Sequence, residues 1–229
     1  MGDLQRLIAF DLDGTLVDSR RDLADSANEL ITELGGAPLP EEAVGAMVGE
    51  GAAVLVRRAL AAARVSDVGT ALKRFLEIYD TRLLNYTRVY EGMIDVVRYA
   101  RTMGRVALLT NKPLAPTLRI LDGFAMRDLF DAVTGGDGPL GRKPDPAGLA
   151  ALMRDSGASQ QTTMLVGDSK IDHETAVRAG VRCSLVSFGF GHAGFPRERL
   201  RSDQDRVAQG ADELRRMLAE FAVETRPLG

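Results

Sequence analysis

The chain alternates between short, unbroken apolar runs and longer segments in which apolar residues recur every three or four positions. The unbroken runs are Leu7–Phe10, Val106–Leu109, Ala132–Thr134, Thr163–Val166 and Ser184–Ser187. Rich in Val, Ile and Leu and lacking a polar face, they predict parallel strands covered on both sides. The helical segments between them close at glycines: Gly104 follows Val96, Val97, Ala100 and Met103; Gly157 follows Leu149, Leu152 and Met153; Gly180 follows Ala176 and Ala179. This alternation predicts an α/β domain with a doubly wound, mostly parallel sheet.

One stretch breaks the alternation. Between residues 17 and 88 the pattern is helical throughout. Leu23, Ala27, Leu30, Ile31 and Leu34 form one face, Val56, Leu60 and Ala63 a second, and Leu72, Phe75, Leu76, Tyr79 and Leu83 a third. The division expected is an α/β core of residues 1–16 and 89–229 with a small all-helical cap, residues 17–88, inserted after the first strand. The crossings into and out of the cap, near Val17–Ser19 and Val89–Gly92, are then expected to act as hinges. The last helix, around Ala211–Phe221, reads as a surface element whose final residues fray.

Composition narrows the class. A length of 229 residues suits one large domain with an insert. Net charge is −3, which offers no bulk attraction to nucleic acid or an anionic membrane. The single cysteine, Cys183, rules out a disulfide within the chain and reads as a buried thiol. No basic segment leads into an apolar one at the start, and no apolar run reaches the roughly 20 residues needed to span a bilayer. A cytoplasmic monomer or homodimer acting on a small molecule is expected.

The chemistry lies where each apolar run stops, because open α/β sheets bind ligands beyond the carboxyl ends of their strands. Asp11 and Asp13 follow the first run. Thr110, Asn111 and Lys112 follow the second. A glycine-rich loop and Lys143 follow the third, and Asp168 and Asp172 the fourth. Each alone could be a helix cap. Together they place several carboxylates, a hydroxyl and an ammonium on one edge. Crowded carboxylates call for a cation, and an oxygen-only set that leaves room for water and phosphate suits Mg²⁺. His173 and His192 have no part in such chemistry and read as solvent-exposed or locally bonded imidazoles.

The stretches DLDGTLVDS, LLTNKP, GRKPDP and VGDSKIDHETAVRAG, in this order, resemble the four motifs of the haloacid dehalogenase-like (HAD) superfamily, and the helical insert resembles its first cap subclass. The resemblance implies Asp11 as a nucleophile that forms an aspartyl-phosphate and Asp13 as general acid and base. It implies Mg²⁺ held by Asp11, the backbone carbonyl of Asp13 and Asp168, with Asp172 joining directly or through water. Thr110, Asn111 and Lys143 would bind the phosphorylated substrate. Asp13 argues against carbon–halogen cleavage, since the dehalogenases lack it. The cap's one lysine, Lys73, sits beside a core-directed face, which argues against imine-forming phosphonate chemistry. Phosphate ester hydrolysis is expected, with phosphomutase action on a sugar phosphate as the alternative. A receiver domain would need about half this length and no cap; a catalytically silent phosphometabolite binder would not need the full catalytic set.

The cap stretch MVGEGAAVLVRRAL, residues 47–60, resembles that of bacterial phosphoglycolate phosphatases, as do TNKP and FGFG, residues 188–191. It implies that Gly49 and Gly51 form a turn offering N–H groups to a substrate carboxylate, with Arg57 or Arg58 steering the dianion. Glu50 departs from the neutral residue common there, and its charge beside a carboxylate would weaken binding unless it turns away. 2-Phosphoglycolate leads the expected substrates, ahead of sugar phosphates and pyrophosphate.

Overall fold

A computed structural model of the chain describes residues 5–193 and 195–225. Its centre is β1, Leu7–Phe10, with every residue buried. Alternation along this strand feeds two apolar layers: Ile8 and Phe10 join one cluster, Leu7 and Ala9 the other. Parallel neighbours flank it, β4 (Arg105–Leu109) in the register Ile8 to Val106 and β6 (Thr163–Gly167) in the register Ile8 to Met164. The six-stranded parallel sheet runs β5 (Ala132–Thr134), β4, β1, β6, β7 (Arg182–Val186), β8 (Asp205–Ala208). Helices α5 (Met93–Arg101), α6 (Leu114–Gly123) and α9 (Ala211–Glu224) bury their apolar stripes with Ile8 and Phe10. Helices α7 (Ala147–Ser156) and α8 (Lys170–Ala179) cover the opposite face.

The expected strands all form. One more strand of this sheet, β8, escaped the pattern because it opens on Asp205 and Arg206 and sits at the sheet edge. The expectation of a surface helix at the end is corrected: α9 buries Leu214, Leu218 and Phe221, an apolar stripe at helical spacing that packs onto the sheet. The fraying expected of the last residues falls partly on residues 226–229, outside the described residues.

Between β2 (Val17–Asp18) and β3 (Arg88–Val89) lie four helices, α1 (Arg20–Glu33), α2 (Glu41–Gly45), α3 (Ala52–Ala62) and α4 (Ala71–Asp80). β2 and β3 pair antiparallel, Val17 opposite Val89, so the chain leaves and re-enters through one short ribbon. Two-residue strands carry no readable periodicity, and the ribbon stands where hinges were expected. Buried Asp22 of α1 binds the returning chain: it accepts from the Thr87 amide and hydroxyl, both at 2.8 Å, and from the Tyr86 amide. The apolar faces of α1, α3 and α4 merge with one face of the sheet into a single cluster.

Candidate active site

The strand ladder holds the first carboxylate. The Asp11 amide donates to the Val166 carbonyl at 2.9 Å, which extends β1–β6 pairing one residue past the strand. Leu12 is fully buried on the apolar side, and Asp11 and Asp13 line the same cavity on the other. The chain then turns sharply, with the Leu12 carbonyl accepting from the amides of Thr15, Leu16 and Val17. Gly14 makes this possible. Its φ is +87°, and a Cβ there would lie 2.1 Å from Asp168 Oδ2.

Lys143, buried, reaches Asp11 Oδ1 and Asp172 Oδ1, each at 2.6 Å. Asp172 is fixed on its other oxygen by Ser169, whose hydroxyl donates at 2.6 Å in a capping box that starts α8. Asp168 accepts from the Gly191 amide at 2.6 Å. One oxygen each from Asp11, Asp168 and Asp172 lies within 4.8 Å of the others, all three residues buried. Burial pushes the Asp11 carboxyl up to about 7; the charge of Asp172 adds to this while Lys143 opposes it. Burial, with Asp172 and Asp11 close by, also holds Asp168 well above the usual carboxylate range. Burial disfavours the Lys143 ammonium, yet Asp11 and Asp172 outweigh it and keep the group protonated. Three buried carboxylates share one ammonium, an imbalance that a divalent cation would relieve. The donors are all oxygen, which fits Mg²⁺.

A second ion pair stands on the cavity's other side. Lys112 Nζ is 3.1 Å from both Asp13 oxygens and donates to the Tyr79 hydroxyl at 2.7 Å. Ser19 Oγ donates to Asp13 Oδ1 at 2.5 Å. Thr110 is buried in the lining, and its hydroxyl accepts from the Lys112 amide at 3.2 Å. Asn111 Nδ2 donates to the Gly49 and Lys143 carbonyls, each at 2.8 Å, tying the cap turn to the core. The cavity of about 40 Å³ is completed by Gly49, Gly51, Leu55, Phe75 and other cap residues.

The structure therefore brings Asp11, Asp13, Thr110 and Asn111, with Gly49 and Gly51, around one cavity, with Lys143, Asp168 and Asp172 beside Asp11. Arg57 does not join them: it is exposed on α3. Glu50 pairs with Arg58 at 2.5 Å and is absent from the lining. His173 is locally bonded, its Nε2 2.9 Å from Asp205. Sequence reasoning missed the pairing of Lys112 and the role of Tyr79. Tyr79 lies on the buried face of α4 and so reads as core. Lys112 follows Thr110 by two residues, the same spacing that pairs Asp11 with Asp13.

A sequence profile of the haloacid dehalogenase-like hydrolases matches residues 8–186. The chain belongs to this family. A phosphoglycolate phosphatase of Pseudomonas putida is 42% identical over 198 residues, covering 83% of this chain and 72% of the relative. One from Cereibacter sphaeroides is 38% identical over 220 residues, covering 93% of this chain and 99% of the relative. The crystal structure of a predicted phosphoglycolate phosphatase from Haemophilus somnus superposes with a TM-score of 0.83 at 28% identity, covering 94% of this chain and 97% of that one. This haloacid dehalogenase-like protein is a phosphoric monoester hydrolase. No helix among its described residues is long and apolar enough to cross a membrane.

Proposed function

We propose that the chain is a Mg²⁺-dependent phosphatase that hydrolyses 2-phosphoglycolate or a similarly short phosphorylated acid through an aspartyl-phosphate on Asp11. The observation that carries the reading is the clamp on Asp11. Lys143 engages one of its carboxylate oxygens, which leaves the other to attack phosphorus. Asp13, two residues on and facing the same cavity, enters the cycle protonated and gives that proton to the departing alkoxide. It then takes a proton from the water that attacks the acyl phosphate, releasing inorganic phosphate and restoring Asp11. Thr110 and Lys143 hold the phosphoryl oxygens. Asp11, the Asp13 carbonyl and Asp168 would hold the cation. Asp172, already bonded to Lys143 and Ser169, would act through water or by orienting Lys143. Bound Mg²⁺ supplies positive charge that offsets repulsion between an anionic nucleophile and an anionic phosphate.

Three features favour a short acid. The cavity is walled largely by apolar side chains of the cap, among them Leu55, Phe75 and Leu76, which leaves few partners for the hydroxyls of a sugar phosphate. The turn of Gly49 and Gly51 leads into α3, whose first amides have no side-chain cap and border the cavity; such a helix start favours an anion. Glu50 turns to Arg58, so its charge does not oppose a substrate carboxylate. The curated relatives named above as phosphoglycolate phosphatases support the same substrate. Phosphate release should depend on Mg²⁺ and be faster from 2-phosphoglycolate than from glucose phosphates or pyrophosphate. Acid quenching during turnover should trap phosphate covalently on the wild type and none on Asp11→Asn. A labelled Asp11→Asn protein, or a flat substrate profile, would overturn the mechanism or the substrate respectively.

A further inference from the structure

The two ends of a phosphorylated acid make separate demands. Asp11, Thr110 and Lys143 serve the phosphoryl end. The carboxylate brings a second charged group into a cavity walled largely by apolar side chains, where an unpaired anion is costly. Among the described residues that line the cavity, Lys112 is the only cation. The cap arginines are elsewhere: Arg57 is exposed and Arg58 is held by Glu50.

Lys112 is 6% exposed, and its Nζ sits 4.6 Å from the centre of the Tyr79 ring. An ammonium has three protons. Both Asp13 oxygens and the Tyr79 hydroxyl accept from it, so a ligand carboxylate would take the proton now given to one Asp13 oxygen. Because Tyr79 accepts from Lys112, its own proton is available to another acceptor. Burial pushes the Tyr79 phenol up to about 12, so that proton stays in place at neutral pH. Lys112 comes from the core and Tyr79 from α4 of the cap.

We propose that Lys112 and Tyr79 together seat the substrate's carboxylate, one donor from the core and one from the cap, and that this pair sets the preference for short phosphorylated acids over uncharged phosphate esters. The assignment rests on the phosphatase reading above. It gives the substrate a structural consequence: its carboxylate bridges cap and core, so it is recognised fully only when the cap is docked.

The test compares kcat/KM for 2-phosphoglycolate and 2-hydroxyethyl phosphate, which replaces the carboxylate by an alcohol. The wild type should prefer the acid. Lys112→Met should lower the acid-to-alcohol ratio by about 10- to 100-fold, mainly through KM for the acid, as expected for loss of a charge-assisted hydrogen bond. Tyr79→Phe should lower it by about 3- to 10-fold, the loss of one neutral donor, and Lys112→Arg should restore part of the preference. Tyr79→Phe keeps the packed ring and so tests the seat even if Lys112→Met fails to fold. Equal losses on both esters would reduce Lys112 to a positioning residue for Asp13 and overturn the seat. A wild-type preference that survives in both variants would overturn the seat alone. A wild-type ratio near one would overturn the carboxylate reading itself, and the seat with it.

Discussion

At Asp168 burial and charge pull in opposite directions. Its carboxylate is 2% exposed, close to Asp11 and Asp172, with a backbone amide as its best donor. A carboxyl whose folded pKa is raised binds its proton more tightly in the folded than in the unfolded state. It therefore lowers stability progressively as pH rises above 3.8, its ordinary value. Without metal, Asp168→Asn should melt at or above the wild-type temperature at neutral pH, since the amide can still accept from Gly191 and carries no charge. With Mg²⁺ the order should reverse. Saturation at about 100 times Kd stabilises the wild type by about 2.7 kcal/mol, and the variant should show no such shift. Thermal melts with Mg²⁺ and with a chelator check both signs; a variant that keeps the full Mg²⁺ shift removes Asp168 from the cation site. Residues of this kind are legible in a sequence because they are polar and stand directly after an apolar run. Tyr79 and Asp22 are not. Both lie on helix faces, and their polar partners, Lys112 and Thr87, are distant in sequence and meet them only on folding.

Elements were legible where their pattern is strong. β1, β4 and β6 lie inside the sheet and carry unbroken buried apolar runs, so they declare themselves. β8 borders the sheet and begins with a charge that the fold hides rather than exposes. The Asp205 side chain is fully buried, between Arg201 at 2.6 Å and His173 at 2.9 Å. Burial alone would raise its pKa. Hydrogen bonds from the Arg201 side chain and amide, and from His173, override this and hold the carboxyl below 3.8. The linkage then runs opposite to that of Asp168: the stabilisation is complete above 3.8 and is lost as pH falls through the depressed value. Asp205→Asn should lower stability at neutral pH by about 2–3 kcal/mol, the loss of hydrogen bonds to a charged group. It should also flatten the acid limb of the stability curve. Urea unfolding from neutral to acid pH measures both, and an unchanged acid limb would show that Asp205 carries no such linkage. The His173–Asp205 hydrogen bond ties α8, which carries Asp172, to the sheet edge, so loosening should also reach the Lys143 clamp.

At the scale of the molecule, cap and core are docked. The apolar cluster is continuous between them, and the polar contacts that cross the boundary include Asn111 to Gly49, Lys112 to Tyr79, Ser19 to Asp13, and Arg119 to Asp80. Packing this close leaves a cavity for little more than a few waters, since one water needs about 10–15 Å³. Entry of the proposed substrate is therefore expected to require the cap to lift, with β2 and β3 as the covalent crossing. The helical insert was legible from its unbroken helical periodicity, whereas its docked position depends on side chains meeting across the boundary, which no local pattern encodes. Asp80 and Arg119 offer a test outside the catalytic machinery, because both are exposed and their substitution leaves the cavity lining intact. Cysteines at these two positions, joined by a short disulfide-containing cross-linker, should fix the cap on the core. The native thiol, Cys183, is buried and held protonated by that burial, so it should not compete for the reagent. Turnover of 2-phosphoglycolate should fall at least about tenfold on cross-linking, as expected when lid opening gates the cycle. It should return on reduction, while the unlinked double variant stays near the wild-type rate. If the linked protein turns over at full rate, substrate reaches Asp11 without the cap lifting, and the carboxylate seat between Lys112 and Tyr79 is then a fixed pocket rather than one completed by closure.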